Sequence, residues 1–133
     1  MPLTHLINTL GVQNRVQLTG ALKDVESWYQ KARIFAFPSS SEGFPNVVGE
    51  ALAHGLPVVA FDCVAGPRDL IQQGINGFLA DTYDFDRFAV YLKQLMDDEE
   101  LRKRMASNAP DSVLPFQEEE IAQRFYQVMT STV

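Results

Sequence analysis

Two short apolar runs constrain this chain most. Ile34-Phe35-Ala36-Phe37 and Val58-Val59-Ala60-Phe61 are continuous in hydrophobicity and too short for buried helices, so each reads as a strand covered on both faces. Between them lie a loop bearing Gly43 and Pro45 and an amphipathic segment, residues 46–54, that stops at Gly55. The order is strand, loop, helix, strand. Such a loop delivers backbone N–H groups at a helix N-terminus, and here two carboxylates, Glu42 and Glu50, flank it. That arrangement suits a phosphate with hydroxyl-bearing groups on either side.

The rest of the chain repeats the alternation. Leu3, Leu6, Ile7 and Leu10 share one helical face that ends at Gly11, and residues 16–18 alternate as a short strand before Gly20. Asp24 can cap a helix to about Ala32, with Val25, Trp28, Tyr29 and Ala32 on one face. Residues 68–73 read as two helical turns closed by Gly74, and residues 77–80 as a strand after the Asn76-Gly77 turn. Helices are predicted from Asp84 or Asp86 to Met96, from Glu99 to Ser107 and from Gln117 to Met129. Pro110 and Pro115 frame an irregular segment before the last of these. Glu118, Glu119 and Glu120 suit the positive end of that helix. The pattern predicts an α/β fold: a Rossmann-like parallel sheet of about four strands with helices on both faces. Ligands of such sheets bind beyond the carboxyl ends of the strands, so the loops of residues 38–46 and 62–68 should lie side by side.

At 133 residues one domain is expected, ending in a C-terminal helix within residues 116–133. The net charge of −6 and the scattering of Lys and Arg argue against nucleic acid as partner. Main-chain N–H groups can nevertheless bind an anion without a basic patch. Cys63 is the single cysteine, which excludes an internal disulfide and a Cys-rich metal site and fits a reducing compartment. No run of apolar residues is long enough to span a membrane, and the first residues do not form a signal peptide.

Each candidate residue has a functional and an ordinary reading. Gly43 lets a ligand approach the backbone, and the N–H groups of Asn46, Val47 and Val48 fall in the first helical turn, but an ordinary strand-to-helix turn has the same features. Glu50 can accept two hydrogen bonds from a vicinal diol such as a ribose, or be a helix-surface acid. Glu42 can contact a sugar hydroxyl or stabilise developing positive charge, or be a loop acid. Arg68 can meet phosphate, one of the glutamates, or a surface partner. Cys63 has no histidine nearby in sequence to make it a nucleophile, and His54 suits a helix C-terminus as a structural residue. Asp84-Phe85-Asp86 is better explained by N-capping than by metal binding.

Taken together, Pro38-Ser39-x-x-Glu42-Gly43-Phe44-Pro45-Asn46-x-x-x-Glu50-Ala51-Leu52-Ala53-x-Gly55-Leu56-Pro57-Val58-Val59-Ala60 resembles the signature of retaining nucleotide-sugar glycosyltransferases of the GT-B fold, group 1 or family 4 type. The resemblance continues through Gly66-Pro67-Arg68-Asp69-Leu70-Ile71 and Asn76-Gly77-Phe78-Leu79, and back to residues 15–20. Asp69 stands where the family usually has Glu. The resemblance implies a donor-binding, C-terminal domain. Glu42 would be the catalytic residue, contacting the donor sugar. Gly43, Phe44, Asn46 and Val47 would hold sugar and diphosphate, Glu50 the ribose, and Arg68 would stand in the neighbouring loop.

The donor would be a nucleoside-diphosphate sugar, UDP- or GDP-linked, bound as substrate. No metal and no cofactor are expected, since the family needs no Asp-x-Asp site. The resemblance also implies absences: an acceptor-binding N-terminal domain, and two donor-domain strands that would lie between residues 16–18 and 34–37. Residues 16–18 should then pair directly with 34–37, or a second copy should join across the open edge, or the chain should belong to a larger protein. By itself the chain is expected to be inactive. The parent enzyme would serve polysaccharide or lipopolysaccharide synthesis in the cytoplasm, peripheral to the inner membrane. The alternatives are a non-catalytic nucleotide-sugar-binding or interaction module, and a GT-B nucleotide-sugar epimerase.

Overall fold

The computed structural model describes residues 2–40, 46–63 and 66–116. Glu42, Gly43 and Phe44 lie outside the described residues, as does the expected C-terminal helix with Glu118, Glu119 and Glu120. Helices α1 (Leu3–Thr9) and α2 (Val25–Lys31) precede strand β1 (Phe35–Phe37). Helix α3 (Asn46–Ala53) leads to β2 (Val58–Phe61), and β3 (Gly77–Ala80) follows. Helices α4 (Phe85–Asp97) and α5 (Glu99–Asn108) complete the α/β alternation.

The sheet is parallel, in the order β1-β2-β3, with Ala36 opposite Val59 and Val59 opposite Phe78. Central β2 is buried along its whole length. Its side chains alternate between the two faces, as the strand period requires. Val58 and Ala60 join Val48, Ala51 and Leu52 of α3, Tyr29 of α2, and Leu70 and Ile71. Val59 and Phe61 join Phe88 and Leu95 of α4 and Leu101 and Met105 of α5. Two cores on opposite faces are what the continuous apolar run in β2 demands.

Three helix starts, those of α2, α4 and α5, are set by aspartates. Asp24 accepts from the Ser27 N–H (3.2 Å), Asp84 from Arg87 (3.0 Å) and Asp98 from Leu101 (3.0 Å). Each satisfies a first-turn donor that has no intrahelical partner. Asp84-Phe85-Asp86 is therefore a capping sequence. Gly55 at φ +79° ends α3, as its place after the amphipathic segment predicts.

Three expectations need correction. The described residues hold three strands, not about four: residues 16–18 have no strand partner, and β1 pairs only with β2. Alternation in so short a segment makes a strand only if a neighbour completes its hydrogen bonds, and Val16 and Leu18 instead lie exposed.

Residues 68–73 are not two helical turns. Only Pro67–Asp69 forms a 3₁₀ turn, because buried Asn76 takes over the backbone that follows. Its Oδ1 accepts from the Gln72 N–H (2.8 Å), and its Nδ2 donates to the Leu70 carbonyl (2.9 Å). Finally, the segment between the late prolines is not irregular. Pro110–Phe116 is a 3₁₀ helix that packs on α3.

Candidate functional site

Because β1 and β2 are adjacent and parallel, the chain leaves both at the same end of the sheet, and the loops after them start side by side. The first loop leads into α3. There Asn46 and Val47 are exposed, while Val48, Ala51 and Leu52 anchor the helix to the sheet. This division leaves the remaining face of α3 free to present Glu50.

Glu50 is exposed, one turn into α3, yet its carboxylate is held. The Tyr29 hydroxyl donates to Oε2 at 3.1 Å. Tyr29 is buried, stacks on His54 with ring centroids 5.0 Å apart, and packs at a tilt on Phe35. Burial, then the hydrogen bond to Glu50 and the charge of Glu50, push the Tyr29 phenol up to about 12. The hydroxyl is thus a donor across the physiological range. His54 closes the group: its Nδ1 lies 2.8 Å from the Glu50 carbonyl, the last turn of the helix carrying the acid.

On the second loop, Arg68 donates from Nε to Asp62 Oδ1 at 2.8 Å, both side chains being partly exposed. Asp62 follows β2 directly, and its carbonyl accepts from the Thr82 hydroxyl beyond β3 (3.4 Å). So the carboxyl ends of β2 and β3 are tied together where Arg68 stands. Cys63 beside it is buried.

The structure therefore brings Asn46, Val47, Glu50 and Arg68 to elements that share one end of the sheet. It adds two residues that sequence reasoning did not select. Tyr29 was read as part of an apolar face, although a tyrosine in a core needs a partner for its hydroxyl. Asp62 enters the sequence reading only as the start of the loop of residues 62–68, although an acid at a strand end near an arginine-bearing loop is a ready ion-pair partner.

A concavity of about 420 Å³ opens by Arg33 and Gly55, which precede β1 and β2, and is lined also by Glu99, Arg102 and Lys103. Tyr29 and His54 line it as well, so it reaches the residues that hold Glu50. Hydrogen bonding from Lys103 holds the Glu99 carboxyl below its usual range.

The model of the family described as "Glycosyl transferases group 1" matches residues 2–112, which include both loops and all three strands. The chain belongs to this family. It is 34% identical over 107 residues, 80% of the chain, to an uncharacterized glycosyltransferase of Haemophilus influenzae, covering 30% of that protein. It is 32% identical over 130 residues, 97% of the chain, to the lipopolysaccharide core biosynthesis glycosyltransferase LpsE of Rhizobium meliloti, covering 38% of it.

Among solved structures, HepE of Anabaena in complex with UDP-glucose matches with a TM-score of 0.88 and 28% identity, over 97% of this chain and 36% of that one. The fold is thus that of the group 1 glycosyltransferases, with part of their sheet present. The chain spans 14% to 38% of the length of such curated relatives. Among the described residues no helix is long and apolar enough to cross a membrane.

Proposed function

We propose that this chain is the donor side of a retaining glycosyltransferase and binds a nucleoside-diphosphate sugar at the carboxyl ends of β1 and β2. The observation that carries the reading is Glu50: an exposed carboxylate on the first turns of α3, held by a buried tyrosine instead of lying loose on the helix. A carboxylate so placed accepts from both hydroxyls of a ribose diol. The N–H groups of the first turn of α3, at Asn46 and Val47, face the diphosphate, where the helix dipole favours negative charge. Arg68, in the adjoining loop, supplies a cation near the same diphosphate. In this reading Glu42 contacts the donor sugar at the reacting end, with Gly43 and Phe44 beside it. The UDP-glucose bound by HepE supports the ligand class, and LpsE supports a place in surface-polysaccharide synthesis.

The acceptor is held elsewhere in the complete enzyme, so this chain binds donor without transferring it. The open edge of β1 is where that remaining part, or a second copy, would pair. A clean monomer in size-exclusion chromatography with light scattering rules out the second copy.

Calorimetric titration of the chain with UDP, UDP-glucose and GDP tests the donor site. UDP is expected to bind, with Glu50→Ala weakening it at least about tenfold, the scale of two lost hydrogen bonds to a charged group. No heat at millimolar ligand would sink the reading and leave a scaffold without a donor site.

A further inference from the structure

We propose that Tyr29 is a positioning residue for the donor's ribose: its hydroxyl fixes one oxygen of the Glu50 carboxylate so that the other meets the diol. The inference rests on the ribose reading of Glu50. An exposed glutamate on a helix samples several rotamers, and ordering it on binding costs side-chain entropy. Here that ordering is built in beforehand. The Tyr29 hydroxyl donates to Oε2 (3.1 Å), and Tyr29 itself has little freedom, lying buried between Phe35 and the ring of His54. His54 in turn contacts the backbone carbonyl of Glu50 (2.8 Å), which ties the ring that Tyr29 stacks on to the helix carrying the acid. Tyr29 comes from α2, a different element from Glu50, and the contact spans residues far apart in sequence. It is a tertiary device and not a by-product of one helix.

The test separates this role from packing. Tyr29→Phe keeps the ring, its stacking and its burial and removes only the hydroxyl. Its thermal midpoint should stay close to wild type while affinity for UDP falls about fivefold, the worth of one hydrogen bond. The loss should disappear with 2′,3′-dideoxy-UDP, which offers no diol, and should disappear in a Glu50→Ala background. An equal loss with the dideoxy nucleotide, or an additive loss in the Glu50→Ala background, would overturn the assignment by showing a general packing effect. Glu50-dependent binding that Tyr29→Phe leaves unchanged would overturn it as well. If the wild-type chain binds no UDP, or Glu50→Ala binds it as well as wild type, the ribose reading itself fails.

Discussion

The two flanks of central β2 differ in what covers them. On the β3 side, α4 and α5 seal the sheet, and Phe61, Leu95 and Met105 are almost wholly buried. On the β1 side, the strand is only half buried and its outer edge has no strand partner among the described residues. In the segment that precedes it, Leu3, Leu10, Leu18 and Trp28 are exposed, and α1 buries none of its residues. Yet α1 has the same apolar spacing as α4. Periodicity marks which face of a helix is apolar; it does not say what will cover it. One flank is sealed by helices of this chain, and before the other, apolar side chains stay exposed among the described residues.

The sharpest way to break the finished flank is at Gly77. A Cβ there would sit 2.1 Å from the Val58 carbonyl oxygen, a backbone atom of the strand it pairs with. Gly77→Ala should separate β2 from β3 and cost about 3 kcal/mol or more, read as a lower urea midpoint or loss of soluble protein. A milder contrast uses one residue type in the sealed core and on open α1. Leu95→Ala removes a side chain with 0% exposure and should cost about 3 kcal/mol, whereas Leu10→Ala, at 63% exposure, should stay within about 0.5 kcal/mol. Equal costs would mean that α1 is covered in solution, and would point to a partner there.

The smallest effect is one of pH, at Tyr29, which belongs to the core beneath the β1 flank. Its phenol is raised from 10 to about 12 in the folded chain, so the folded state holds a proton that the unfolded state loses first. The stability this contributes is complete below pH 10 and is lost as pH rises toward 12. Urea midpoints measured across that window should fall more steeply for wild type than for Tyr29→Phe. Parallel curves would mean that the hydroxyl is not held.

Most of the fold was legible because local physics carried it. The apolar runs at β1 and β2, the caps at Asp24 and Asp84 and the stop at Gly55 act within a few residues of themselves. The motif around Glu50 was legible for the same reason, being contiguous with the strand and helix that display it. What escaped was what depends on a neighbour. Residues 16–18 alternate like a strand, but a strand exists only where a second one accepts its hydrogen bonds. The turns expected after Arg68 yielded to Asn76, whose amide competes for the same backbone groups.

The same division holds at the site. By itself the sequence determined that a loop and a helix start would stand at the end of a parallel sheet, with Glu50 one turn in, because alternation and helical period are properties of a single chain segment. Only the tertiary structure decided that Tyr29 would hold Glu50 and that Asp62 would hold Arg68. The first contact joins α2 to α3, whose approach is set by packing on β2, and no local pattern records the distance between two side chains that meet only after the core has closed; the second lies within one loop, whose course alone decides whether acid and arginine meet.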